Sequence, residues 1–488
     1  MTITDNVYNF AGMFKKKIKE LPKVEPVKIK PLFGLKPGLW LTIAYGLAIL
    51  VIIFVVAILP DIINGHKRVT FTSNAGTAAV YLDGVYQGGT PFTRSVESGT
   101  YQVSYQVNGV EIDSFTLKVG HPVFLNWLFP RVQKVESTAV LNDDAFAALT
   151  KELLEDAGAY SAVLDYDSAH RYPEIFSQYA ESIQSSSHAQ DSKAFEAALL
   201  YVTTDEMGED SVNATATIGI NLITPYEILK SGKDSTVGVA DSTTPVVTAT
   251  ATQLDAGLFI IDGYTISEAD FSNGRVVDSS YPAVLEAGVQ VHTDAFNIST
   301  YCITEGQYSA FMAQNPEWSR ANKDALVSAG LVDEYYLDGV DFSTATAARP
   351  VRNISWNAAD AFCEWLSEVT GRNVSLPTEN QWIAASLTDT EGGYQKSLMP
   401  SAAEGSPAAM LGGVWEMTST RLIPLSRIVA GFQVERANEI MDSYDVRNDM
   451  VVKGGSYVNT AGSVDRYTVG ATARYFCSPY MGFRIVWN

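Results

Sequence analysis

At 488 residues the chain exceeds what a single core organises, and a norm of about 150 residues per domain predicts roughly three units. Apolar residues make up 46% and charged residues 18%, which supplies folded cores and excludes a disordered chain. The formal charge of −21 excludes nucleic acid as a partner, because polyphosphate calls for a basic surface.

The first predicted element is the uncharged run LWLTIAYGLAILVIIFVVAIL from Leu39 to Leu59. At about 1.5 Å per residue it reaches about 30 Å, the thickness of a bilayer core, so a transmembrane helix is expected over 39–60. A cleaved signal peptide would be shorter and followed by a small-x-small site. The flanking tail, residues 1–38, carries Lys15, Lys16, Lys17, Lys19, Lys23, Lys28, Lys30 and Lys36 against Asp5, Glu20 and Glu25. A positive flank predicts a cytoplasmic N-terminus, with the remainder, at roughly −26, outside the cytoplasm.

Residues 67–120 alternate in hydropathy between glycine turns, as at Val80 and Leu82 and at Tyr101, Val103 and Tyr105. Short antiparallel strands are expected, with Asp83-Gly84 and Asn108-Gly109 as turns and a hairpin at the second. The order AAVYLDG, GGTPF, SGTYQVSYQ resembles the PEGA domain, a small bacterial surface β-sandwich module without catalysis. The resemblance implies the inner membrane of a bacterial envelope, with the bulk of the chain periplasmic or extracellular.

Residues 121–230 change to helical spacing in AFAALTKELLEDA, PEIFSQYAESIQ and AFEAALLYVTTDEM, which predicts a helical spacer or small bundle. Residues 231–253, rich in Ser, Thr, Gly and Asp, read as a linker. The five histidines, His66, His121, His170, His188 and His292, are scattered and form no His-x-x-x-His pair, so an iron site has no support. The three cysteines, Cys302, Cys363 and Cys477, form no Cys-x-x-Cys. A Cys363–Cys477 disulfide and free buried thiols both remain open.

From residue 254 to 488 the chain is rich in aromatic residues and turns. SWNAADAFCEWLSEVTG predicts a helix capped by Asn357, closed by Gly371, with Ala358, Ala361, Phe362, Trp365 and Val369 on its core face. PVRNISWNAADAFCEWLSEVTG, SLPTENQW, GGVWEMTS, VVKGGSY and MGFR stand in the order of the sulfatase-modifying-factor family, which contains the formylglycine-generating enzymes. GLFIIDGYTIS and VHTDAFNISTYCITEGQYSAFM resemble its opening strands and first helix. The resemblance implies an irregular α+β domain of the C-type-lectin-related type, with Trp415, Glu416, Gly454, Gly455, Gly482, Phe483 and Arg484 as its structural motif residues. The whole chain is thus expected to be multidomain: a transmembrane helix, a small β-sandwich, a helical region and this domain.

In the enzymes of that family two cysteines after the Gly-Gly-Ser motif bind copper, which requires two soft thiolates side by side. Their positions fall on Asn459 and Val464, so neither catalytic residues nor a copper cofactor are expected. The family's calcium positions fall on Ala409, Gly412, Val414 and Glu416, a single carboxylate where a hard cation wants several oxygens. The expected function is therefore a membrane-anchored binding or structural protein of the envelope, with no metal. Its expected partner is an envelope protein or a glycan, met at a rim of Tyr457, Asn459, Arg466, Arg474, Tyr475 and Tyr480. A divergent oxidoreductase acting on a protein or peptide cysteine, or a glycan or peptide receptor, is the alternative.

Overall fold

The structure, a computed structural model, describes residues 30–121, 125–126, 128–161, 171–231, 246–273, 290–389, 393–398, 405–424 and 434–488. Most of the lysine tail, His170 and most of the expected linker lie outside the described residues. The chain divides into two compact units. One comprises Met1–Val69, Arg94–Thr100 and Lys118–Gln133; the other comprises Thr70–Thr93, Tyr101–Leu117 and Lys134–Asn488.

The first unit holds helix α1 (Pro37–Ile53), a π-helical turn (Phe54–Ile58) and helix α2 (Leu59–Asn64). Pro37–Ile63 is long and apolar enough to cross a membrane by length and composition. Most of its side chains are exposed. Pro37 starts the helix and Pro60 sits in the first turn of α2, both places where the missing N–H does least harm.

The β-rich region contains β1 (His66–Ser73), β2 (Ala79–Leu82), β3 (Val85–Gly89), β4 (Phe92–Glu97), β5 (Gly99–Val107), β6 (Val110–Val119) and β7 (Val132–Ser137). They form two sheets, ordered β4-β1-β7 and β3-β2-β5-β6. Asp83 and Gly84 turn β2 into β3, and Asn108 and Gly109 turn β5 into β6, with φ of 49° and 79° and of 48° and 78°. Consecutive positive φ values give the two-residue turn whose twist matches the strands it joins. β7 corrects the sequence expectation, because it falls inside the run assigned to helix; Val135 and Ser137 alternate inward along it.

Five helices follow: α3 (Asp143–Tyr160), α4 (Ile175–Ile183), α5 (Lys193–Leu199), α6 (Asp205–Ile218) and α7 (Pro225–Ser231). AFEAALLYVTTDEM, read as helical in spacing, is divided between two helices. The β-branched run Val202–Thr204 interrupts it, and the Thr204 side chain accepts from Met207 N to cap α6. These helices are also more than a spacer. α5 packs on α12 (Val434–Ser443) of the C-terminal region. There Tyr201 donates to Met441 Sδ at 3.3 Å and accepts from Asn448 Nδ2 at 2.7 Å, all three buried.

The C-terminal region begins earlier than expected. β8 (Ala249–Asp255) occupies residues assigned to the linker, because its register against β9 (Ile260–Ile266) pairs all seven of its residues. Then come β10 (Ala269–Ser272), β11 (Gln290–Thr293), β12 (Phe296–Ser299), α8 (Glu305–Gln314), α9 (Lys323–Ser328), α10 (Trp356–Thr370), β13 (Val374–Ser375) and α11 (Glu379–Thr388). After them stand β14 (Trp415–Arg421), α12, β15 (Met450–Lys453), β16 (Gly470–Thr472), β17 (Met481–Phe483) and β18 (Val486–Trp487). The sheets are ordered β13-β18-β12-β9-β8, β16-β15-β14-β17 and β10-β11. β14 and β17 run parallel, which sets Glu416 opposite Gly482.

α10 packs Phe362 against Phe311, Trp365 and Phe483 at ring distances of 5.4–5.5 Å. Its cap is Ser355, whose hydroxyl accepts from Ala358 N, and not Asn357, which donates to Leu331 O. Val369 is exposed because it lies a turn past the packed stripe, and Gly371 closes the helix at φ 65°. The Tyr201 contact yields a test of coupling. Six of the eight tryptophans lie after residue 254, so urea unfolding followed by tryptophan fluorescence reads mainly the C-terminal region. Tyr201→Ala lies outside that region and is expected to destabilise it by about 3–5 kcal/mol.

Candidate functional site

The interior of the C-terminal region is organised by one ion pair. Arg484 donates Nε to Glu416 Oε2 at 2.5 Å and Nη2 to Oε1 at 2.6 Å, with the two side chains 0% and 1% exposed. Its remaining donors reach the carbonyls of Ser299, Thr300 and Ala408 at 3.0–3.1 Å, so all five guanidinium N–H groups are used. Glu416 also accepts from Trp382 Nε1 at 2.7 Å and from the Cys302 thiol at 3.4 Å. A second buried pair, Lys453 with Glu379 at 3.1 Å, lies one residue before the double glycine.

That double glycine opens the loop from 454 onward. Gly454 and Gly455 hold φ of 89° and 75°; a Cβ on the first would meet Met410 O at 2.6 Å and on the second Tyr394 Oη at 2.5 Å. Only glycine fits there. Gly454 O accepts from Gly412 N and Gly413 O from Tyr457 N, both at 2.8 Å, while Tyr394 donates to Ser456 O. The loop is thus stitched to the β14 approach by main chain.

Beside it lies a cleft of about 810 Å³. Its apolar wall is Tyr335, Trp415, Val458, Phe476, Tyr480 and Met481, and its polar positions include Asp338, Asn353, Ser456, Asn459 and Cys477. Asn353 holds φ 51°, gives Nδ2 to Asp338 O, and leaves a buried Oδ1 without a partner.

Of the rim expected from sequence, Asn459 and Tyr480 line this cleft. Tyr457 stands behind Tyr480, ring to ring at 5.7 Å, and Tyr475 is exposed beside Phe476. The two arginines do not line the cleft. Arg466 donates to Ser386 O at 3.1 Å, and Arg474 lies over the Trp356 ring at 4.6 Å, so each is spent on internal packing. Tyr335, Asn353, Val458 and Phe476 were not found from the sequence; they come from separate segments that carry no common motif.

Residues 243–409 match the sulfatase-modifying factor enzyme 1-like domain, and residues 67–110 match the PEGA domain. The chain carries both domains. A 78-residue stretch is 32% identical to an uncharacterized protein of Borreliella burgdorferi, and the match spans 16% of each chain. Among solved structures, variable protein 1 of Treponema denticola is similar at 13% identity and a TM-score of 0.35, over 49% of this chain and 98% of that one. PvdO from Pseudomonas aeruginosa is similar at 14% and 0.33, over 49% and 98%. CarF is similar at 18% and 0.32, over 46% and 98%.

The metals known from formylglycine-generating enzymes do not fit the residues of this sulfatase-modifying-factor-like domain. Asn459 Oδ1 accepts from Ser456 N at 2.9 Å and Ser456 Oγ at 3.0 Å, which locks the side chain into its own turn. Val464 is buried over Gly455. Neither offers a thiolate. Glu416 is saturated by Arg484, and the cavity of about 280 Å³ beside it is walled by groups such as Ala409, Val414, Pro350 and Leu398, poor in the oxygens calcium requires. All three cysteines are free and buried, so the Cys363–Cys477 bridge does not form. Burial pushes each thiol well above its usual range, which leaves Cys477 protonated in the cleft floor. The described histidines serve locally: His66 near Glu97, His121 on Ser98, His188 stacked on Phe146, and His292 between Asp270 and Asp294.

Two outcomes follow from the buried charges. Glu416→Leu leaves Arg484 uncompensated and is expected to cost about 3–5 kcal/mol, measured by chemical unfolding. Asp360 on α10 is raised to about 6 by burial first and Glu364 next, against the pull of Arg474. Its folded pKa exceeds the unfolded one of 3.8, so its contribution to stability falls as pH rises from about 4 to 6. Asp360→Asn is expected to raise the melting temperature at pH 7.5, with the gain vanishing near pH 4.

Proposed function

We propose that this protein is a membrane-anchored envelope component whose sulfatase-modifying-factor-like domain binds a partner without catalysing a reaction on it. The apolar helix Pro37–Ile63 is the anchor, with the lysine-rich tail in the cytoplasm and the folded domains outside it. One observation carries the reading: the loop holds its glycines and main-chain stitching, while Asn459 and Val464, where the resemblance places the thiolates, are committed to packing. The adjoining cleft stays open and is walled by aromatic side chains of the kind that anchor protein partners. The unpaired Asn353 Oδ1 supplies an acceptor for an N–H or O–H of that partner. A protein segment is favoured over a glycan because the wall is more apolar than polar, Tyr335, Val458, Phe476 and Tyr480 all being exposed.

The test is made on the full chain in detergent. After incubation with Cu(I) and desalting, metal analysis is expected to find no stoichiometric copper, and a cysteine-containing peptide is expected to remain unoxidised. Stoichiometric copper or conversion of the peptide would overturn the reading. A photo-crosslinking residue in place of Val458 should capture an envelope protein, and Tyr480→Ala should weaken binding of that purified protein tenfold or more.

A further inference from the structure

The segment that follows β6 returns to the end of the apolar helix and is fastened to it. Leu125 N donates to Ala57 O at 2.8 Å. Asn126 N donates to Asp61 Oδ2 at 2.7 Å, and Asn126 Nδ2 to His66 O at 3.0 Å. Leu125 holds φ 51°, a left-handed conformation that a leucine avoids unless its surroundings fix it. The bend is closed by Phe129 N donating to Leu125 O at 2.8 Å, and Asn126 Oδ1 accepts from Arg131 N at 3.0 Å.

The position of these bonds along the helix is what matters. Ala57 lies six residues before Ile63, the end of the apolar stretch, which is about 9 Å along the axis. The stretch is 27 residues, about 40 Å, against a hydrocarbon core of about 30 Å. Its last turns therefore stand in the headgroup layer, and the fastened segment stands there with them. There the Leu125 N–H donates to the Ala57 carbonyl, which ties the segment to the backbone of the helix end. Ala57 and Asp61, which the segment bonds, are buried, whereas Leu128 and Phe129 are 51% and 68% exposed, and Ile62 and Ile63 at the helix end are exposed as well. Arg131 follows with its cation exposed. An apolar pair followed by a cation is the arrangement that seats a chain among acyl chains and phosphates.

We propose that Leu125, Asn126, Leu128 and Phe129 form a second membrane contact, an interfacial loop that inserts Leu128 and Phe129 into the leaflet at the C-terminal end of the helix. The occupant of this apolar surface is the bilayer itself, because the segment is hydrogen-bonded to the end of the helix, whose own apolar side chains are exposed. The inference rests on the helix being inserted, and the experiment separates the two.

The full chain is reconstituted in phosphatidylcholine vesicles with an environment-sensitive fluorophore on Phe129→Cys, on Leu128→Cys, or on Leu47→Cys within the helix. The three native cysteines are buried and are left in place. Nitroxide-labelled lipid is expected to quench the probes at 47, 128 and 129, with iodide quenching at 128 and 129 reduced at least threefold relative to the same protein in denaturant. Asn126→Ala is expected to restore iodide access at 129 while leaving 47 unchanged. A probe at 47 that lipid nitroxide fails to quench would overturn the anchor. Quenching at 47 with free iodide access and no lipid quenching at both 128 and 129 would overturn the loop while leaving the anchor intact.

Discussion

The C-terminal domain depends on the Glu416–Arg484 pair. Two charges removed from water are tolerated only when every donor and lone pair is met. Here five N–H groups reach five oxygens, and Glu416 also receives Trp382 and Cys302. The pair therefore fixes the end of β12, the segment at Ala408, the first residues of β14 and the end of β17 relative to one another. It also spends the carboxylate that the resemblance places among calcium positions. A domain whose sheets are short and irregular gains its definition from such a polar centre more than from sheet size.

The loop beside the cleft is held in place without any reactive side chain. The loop from Gly454 is held by backbone bonds to Gly412 and Gly413, by the Tyr394 hydroxyl donating to Ser456 O, and by the space that only glycine leaves at 454 and 455. None of these contacts needs a cysteine. Asparagine at 459 fits because its carbonyl oxygen caps the turn at Ser456, and valine at 464 fits because it fills the volume over Gly455.

The segments before this domain are more closely built into the structure than their composition suggests. α5 and Tyr201 cover α12, so the helices extend the core of the second unit. In the first unit, Asn126 and Leu125 answer polar groups at the end of the apolar helix. In both places a segment that reads as a connector supplies hydrogen bonds to a partner far away in sequence.

Local rules made much of this protein legible in its residues. An uncharged run of bilayer length, Asp-Gly and Asn-Gly turns, Gly371 at a helix end and the ordered motifs of the C-terminal domain each express a constraint within a few neighbouring residues. What the tertiary structure decided were the places where distant groups compete for the same side chain. Ser355 took the cap while Asn357 donates to Leu331, Arg466 and Arg474 engage Ser386 and Trp356, and the three thiols stayed separate within the core. β7 and β8 became strands because sheet edges were there to pair with them. Periodicity and propensity record what a segment prefers, whereas partner choice depends on which groups the fold brings within hydrogen-bonding distance, and that is settled only when the chain closes on itself.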